Sequence, residues 1–235
     1  MTDTFIPPLI FNHQTKMKLP SFLLLIILTG CVKDPFLTES KGSFKDSRDK
    51  HEYRWVRVGD QIWMADNLAY LPAVAPSSEG SETSPFYYVY NYEGISVPEA
   101  KSKENYTSYG SLYNREAALI ACPTGWHLPT DAEWETLTTF LSPHPGKKMK
   151  ADTGWPPNGN GDNISGLNIV PGGTRQSDPA RFYRIGENAI YWSSTKDYYD
   201  GGIYDFVWSY DSGDEGGRGY SGGAEGYSVR CIKDN

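Results

Sequence analysis

Helix-forming pattern is confined to one stretch of this chain, and that restriction governs what else it can build. Between Leu112 and Leu141 alanines and apolar residues recur at helical spacing; from Gly154 onward Gly, Asn, Asp and Tyr dominate and the pattern is gone. The segment holding Leu112, Ala117, Leu119 and Ile120 must stop at Pro123, which has no N–H for a helical bond. A second helix opens in Leu128-Pro129-Thr130-Asp131-Ala132-Glu133-Trp134. Thr130 can cap it while Glu133, three positions on, reaches back to the cap's own N–H, a capping box. Trp134, Leu137 and Leu141 then share one apolar face, and Pro143 and Pro145 close the helix.

Everything else points to short strands. Residues 53–58 and 61–64 alternate around Gly59-Asp60, a two-residue loop suited to the primed turns of β-hairpins. Further strand-like pieces stand at 167–170, 180–185, 189–193, 203–210 and 226–232. Residues 71–107 lack sustained periodicity and read as a long surface excursion with a short strand at Phe86–Tyr90. The expected fold class is α+β: two helices on small twisted antiparallel sheets with long loops. With aromatics at 14% and no long apolar stretch, the core must be largely aromatic.

The N-terminus carries an address. Leu19 to Leu28 is apolar, half the roughly 20 residues a transmembrane helix needs, and follows Lys16 and Lys18. It ends in Leu28-Thr29-Gly30-Cys31, which resembles a lipobox, the pattern whose cysteine is acylated and becomes the mature N-terminus. The competing reading is a buried core helix that happens to end in Gly-Cys. Translation can start at Met1 or Met17. The expected organisation is a signal peptide at 1–30, a tether at 31–44 and one domain at 45–235. Lys33-Asp34, just after the cysteine, resembles a short form of the surface-export signal of Bacteroidetes lipoproteins, so the expected place is the outer membrane, facing outward. No later segment could span a bilayer, and the partner expected from the anchor is the membrane itself. Removing 1–30 takes away two lysines and one aspartate, moving the formal charge from -7 to -8. Such acidity argues against nucleic acid as a partner. Lipidation of Cys31 leaves Cys122 and Cys231 in an oxidising compartment, where an even number implies a bridge. The alternative is two separately buried thiols.

Several ordered runs resemble the Fibrobacter succinogenes major paralogous domain. These are Gly59-Asp60-Gln61-Ile62-Trp63-Met64-Ala65-Asp66-Asn67-Leu68, Tyr109 to Tyr113, Cys122 to Thr130, Pro171-Gly172-Gly173, Tyr191-Trp192-Ser193-Ser194 and Tyr227-Ser228-Val229-Arg230-Cys231. That family occurs on exported proteins and implies no general activity. His127 to Glu135 and the Tyr227–Cys231 ending are also similar, more distantly, to the formylglycine-generating, sulfatase-modifying enzymes, a resemblance that implies a C-type lectin-like fold.

The residues do not favour catalysis. Formylglycine generation uses a copper-binding cysteine pair near the C-terminus, and between Trp192 and Val229 there is no cysteine. The histidines expected in the mature chain, His51, His127 and His144, fall on different elements, whereas a metal triad needs convergent ligands. His127, between Trp126 and a helix cap, reads as structural. No Gly-x-Ser-x-Gly elbow is present, and no cofactor is expected. Asn158, Asn160 and Asp162 alternate oxygen-bearing side chains with glycines, a weak calcium pattern that lacks a bidentate Glu; a glycine-rich turn is the better account of it. Asp211 to Glu215 is a second such pattern.

The expected function is therefore a non-catalytic binding or structural module for a polysaccharide, host surface or surface protein. The alternative is an accessory subunit of an outer-membrane complex. By analogy with lectin-like folds, the ligand face falls in Tyr198–Tyr220, with Tyr198, Tyr199, Asp211, Asp214 and Arg218 as candidates. Tyr204, Phe206 and Trp208 read instead as the core-facing side of a strand.

Overall fold

The computed structural model describes residues 37–199 and 202–234; the signal peptide and Cys31 lie outside them. The chain enters as β1 (Leu37–Lys45), taking in residues expected to belong to the tether, and turns into β2 (Glu52–Val58) and β3 (Gln61–Met64). The β2–β3 hairpin closes with Val58 opposite Gln61, and Gly59 at φ 59° supplies the left-handed residue that a primed turn requires. Residues 71–107 are no surface excursion. They hold β4 (Tyr87–Tyr88), α1 (Val97–Lys101) and most of α2 (Glu104–Tyr109), and Leu71, Val74, Tyr87 to Tyr90 and Tyr92 are buried. The cause is tyrosine chemistry: each ring fills the core while its hydroxyl satisfies a loop backbone. Tyr88, Tyr106 and Tyr113 donate to the carbonyls of Glu79, Ala69 and Tyr70 at 2.8–2.9 Å. Arg175 adds a staple, its guanidinium donating to the carbonyls of Ser77, Glu79 and Ala224.

Leu112 belongs not to a helix but to β5 (Leu112–Tyr113), which pairs with β4. Then α3 (Arg115–Ala121) starts at Asn114, whose side chain accepts from the Ala117 N–H, and ends at Cys122. After β6 (Trp126–His127), α4 (Asp131–Phe140) carries the expected capping box in full: Glu133 N–H to Thr130 Oγ1, and Thr130 N–H to Glu133 Oε2. Its Trp134, Leu137 and Leu141 face is buried. Pro145 then opens α5 (Pro145–Met149), so the described residues hold five helices rather than two, three of them too short to show periodicity.

The C-terminal half is antiparallel. β7 (Thr174–Ser177) pairs with β8 (Ala180–Tyr183), and β9 (Ala189–Tyr199), β10 (Gly202–Tyr210) and β11 (Gly217–Ser221) form a three-stranded sheet. β12 (Ile232–Lys233) inserts between β3 and β6, completing the sheet β1-β2-β3-β12-β6. Residues 167–170 form an irregular segment with one bridge, Lys150 to Ile169, and 226–228 contribute isolated bridges only. Trp134 sits at the centre of one core, with ring centroids 4.6 Å from Trp63, 5.6 Å from Tyr191 and 6.2 Å from Trp208. Such aromatic contacts contribute beyond the area they bury. The Cys122–Cys231 disulfide ties the end of α3 to the residue before β12, with Cα atoms 5.9 Å apart. Among the described residues no helix is long and apolar enough to cross a membrane.

Candidate functional site

The residues expected to form one ligand face lie at opposite ends of a hairpin. Tyr199 and Tyr198 stand opposite Gly202 and Ile203 at its tip, whereas Asp211 follows Tyr210 at the far end of β10. Eight residues of strand at about 3.3 Å each put roughly 25 Å between them. Arg218 is engaged by α4, with Nη1 2.9 Å from Asp131 Oδ2 and Nη2 3.8 Å from Glu135 Oε1. Trp208 is buried in the core, as the strand reading requires, and its Nε1 donates to Asp131 Oδ1 at 3.0 Å. Asp211 Oδ1 accepts the Gly213 N–H at 2.7 Å, closing its own turn, and the Asp214 carbonyl accepts the Lys147 N–H.

The asparagine-glycine loop is likewise spent on its own backbone. Asn158 adopts φ 67°, Asn160 Oδ1 accepts the Trp155 N–H, and Asp162 Oδ1 accepts the Ile164 N–H. Among the described residues no three His, Cys, Asp or Glu side chains converge as metal ligands.

Lys150 explains how the 211–215 loop is held. It is fully buried, and its Nζ donates to the Asp211 carbonyl at 2.9 Å and the Gly213 carbonyl at 2.7 Å. Burial lowers its pKa, with Asp214 and Asp211 pulling the other way. Lys150→Met strands two carbonyls, so the expected cost is about 1–3 kcal/mol. Hydrogen exchange of amides 211–215 should accelerate; unchanged exchange would show that the loop holds itself.

A groove runs beside that loop. One hollow of about 670 Å³ lies between Pro156-Pro157, Arg184, Asn188, Ile190 and the 209–212 segment. It shares Arg184, Asn188 and Ile190 with an adjoining hollow of about 270 Å³ that reaches Tyr183, Glu225 and Tyr227. The larger volume falls within the roughly 300–1,000 Å³ of ordinary ligand sites. The wall is rigid because the 184–188 turn is docked at several points: Gly186 N–H donates to the Pro171 carbonyl, Gly173 N–H to the Asn188 carbonyl, and Ile185 N–H to the Tyr90 hydroxyl. Gly173 sits at φ 66°, where a Cβ would come within 2.7 Å of Ile185 N. Arg184, also left-handed at φ 59°, stands 5.0 Å over the Tyr183 ring and 3.8 Å from Glu187. Two of the carboxylates at the rim are committed to turns, Glu225 accepting from Ser177 N–H and Oγ and Asp211 from Gly213, while Glu187 lies 3.8 Å from Arg184 and Asp178 borders the smaller hollow. Asn188 Oδ1 is buried and accepts no hydrogen bond. The groove thus offers a guanidinium, an amide, carboxylates and aromatic edges, groups that can hydrogen-bond and stack on hydroxyl-bearing ligands. Of the ligand candidates read from sequence, only Asp211 borders it.

A smaller hollow of about 260 Å³ involves Arg54, Asp66, Asn67 and Tyr109. Behind it Asn67 is a hub, its Nδ2 donating to the Tyr109 carbonyl and its Oδ1 accepting from Tyr191 OH and Arg230 Nη2. Arg230 is buried and also donates to the carbonyls of Met64 and Leu167. Burial alone would raise the Asp66 pKa, but Arg54 and Arg230 outweigh it and hold it low. These contacts fasten the strands together.

His127 is engaged through both ring nitrogens. Its Nδ1 lies 2.7 Å from Asp234 Oδ1 and its Nε2 3.0 Å from Glu133 Oε1. Burial opposes its charge, but the two carboxylates prevail and raise its pKa, while that of Glu133 is lowered. A raised histidine pKa adds stability that is full below the ordinary value near 6.5 and lost as pH rises through the folded value. The lowered Glu133 contributes in full above its ordinary value near 4.3 and loses that contribution as pH falls through the folded value. The loss of melting temperature in His127→Gln should therefore be largest between about pH 5 and 6.5 and shrink towards pH 9; a pH-independent difference would contradict the ion pairing.

The arrangement defines an α+β domain whose motif residues are spent on scaffold and whose groove is built by loops. Residues 56–233 match the model of the Fibrobacter succinogenes major domain, and the chain belongs to that family. Neither a curated protein nor a solved structure matches the chain.

Proposed function

We propose that this chain is an exported lipoprotein acting as a non-catalytic module that holds an extended, hydroxyl-rich chain, a polysaccharide, in the groove at Arg184 and Asn188. The groove is the observation that carries the reading: it has ligand-sized volume, an open course past two strand hairpins, and a lining that includes Arg184, Asn188 and tyrosine rings. Two features bear against catalysis in this reading. Cys122 and Cys231 are bound to each other, and His127 is held between two carboxylates. The finer fold assignment, C-type lectin-like with a distant kinship to the sulfatase-modifying enzymes, belongs to the same proposal and draws support from the capping box inside His127–Glu135. The address is outer membrane, lipid at Cys31, domain outward. Cys31→Ser should abolish detergent partitioning, and protease added to intact cells should digest the domain.

The binding test is a glycan array probed with the acylated protein in mild detergent. Arg184→Ala with Asn188→Ala should weaken binding about tenfold or more, the worth of one hydrogen bond to a charged group, with little change in thermal midpoint. Tyr199→Ala should bind like the parent. Silence on the array, with a stoichiometric protein co-purifying from cells, would instead favour the accessory-subunit reading.

A further inference from the structure

We infer that the end of the domain where β1 enters rests on the lipid surface, with Phe140 and Ile164 in contact with it. The inference depends on the proposed acylation of Cys31. Only residues 32–36 lie between that cysteine and Leu37, at most about 20 Å of fully extended chain. Leu37 pairs with Val58, so the chain enters beside the Gly59-Asp60 turn. Two exposed apolar side chains lie close to that point. Phe140, at the end of α4, lies over Gly59 so closely that a Cβ there would come within 3.2 Å of its ring, and it remains 37% exposed. Ile164 is 51% exposed, and Gly166, two residues on, lies against Val56 of the same β2 strand. The two are joined through α5: Lys148 Nζ donates to the Ser142 carbonyl, and Ser165 N–H to the Lys148 carbonyl. Phe140 and Ile164 thus lie near the end of β2 and its turn, beside which the chain enters at Leu37.

A tether this short cannot carry the domain far from the headgroups, so the face nearest the anchor meets the bilayer first. Exposed aromatic and branched apolar side chains partition to that interface. The contact inferred is apolar: of the nearby cations, Lys147 and Lys148 are accompanied by Asp162, whose N–H donates to the Lys147 carbonyl, and by Asp60 of the turn. The contact should therefore survive high salt, unlike one made by a basic patch.

The opposite end of the same β1–β2 pair, where Lys45 faces Glu52, supplies an internal control. The acylated protein is placed on phosphatidylcholine vesicles with a fluorophore at Asp60→Cys or, separately, at Ser47→Cys, both exposed. Lipid-borne nitroxide should quench the label at 60 several-fold more than the label at 47, at low salt and at about 1 M salt alike. Phe140→Ser with Ile164→Ser should bring the two labels together while the protein still sediments with vesicles. Equal quenching in the parent, with sedimentation intact, overturns the docking and leaves the anchor standing. Failure to sediment overturns both.

Discussion

Reducing the Cys122–Cys231 bridge is expected to lower the stability of the domain by about 4–5 kcal/mol, among the largest effects of any single covalent change here. The two cysteines are 109 residues apart, and in the chain-entropy picture a closed loop of that length removes much of the freedom of the unfolded state. Cys231 is buried, and its carbonyl accepts the Met64 N–H, so the bridge acts where β3 meets the C-terminal end of the chain. Urea unfolding with and without reductant measures the difference. A loss below about 1 kcal/mol would mean that the unfolded chain is already compact around these cysteines. The Cys122→Ala and Cys231→Ala pair should reproduce the reduced protein.

The second large effect belongs to Arg115 and Asp205. Arg115 opens α3, Asp205 lies on β10, and their side chains, each only 7% exposed, form an ion pair between Nε and Oδ1. Arg115 Nη2 also donates to the Ser194 carbonyl on β9. Burial raises the Asp205 pKa, and Arg115 and Lys196 recover only part of that shift. Removing Asp205 leaves the buried Arg115 with only the more distant Glu116 carboxylate, at 3.9 Å, so Asp205→Ala should cost about 3 kcal/mol. Asp205→Asn, which keeps an acceptor, should be milder. Replacing both, Arg115→Met with Asp205→Leu, should cost much less than the sum, because neither charge is then stranded. A double-mutant cycle by denaturant unfolding checks this; additive losses would show that the two groups act independently.

Features set by a few neighbouring residues were legible in the sequence. The Thr130–Glu133 capping box, the Gly59-Asp60 hairpin and the Trp134–Leu137–Leu141 face each depend on contacts within one turn or one helix, and the structure holds them as expected. The cysteine pairing followed from parity and compartment, and the bridge is present. The 71–107 segment was not legible, because its burial is carried by tyrosines whose hydroxyls reach distant carbonyls, a pattern with no period. The residues expected to form one ligand face do not come together, for a related reason. Tyr198, Tyr199, Asp211 and Arg218 crowd together along the chain, but an extended strand separates them and α4 engages Arg218. Arg184 and Asn188 gave no more signal than a polar turn, since the 156–157 and 209–212 segments facing them are remote in sequence.

Hydrogen–deuterium exchange of the intact protein, with and without the strongest glycan from the array, tests the central claim most directly. Binding in the groove predicts slowed exchange at amides 184–190 and 209–212, with the β9–β10 tip at 198–203 unchanged. Protection confined to that tip, or to residues 71–107, would contradict it and move the ligand to another face of the domain.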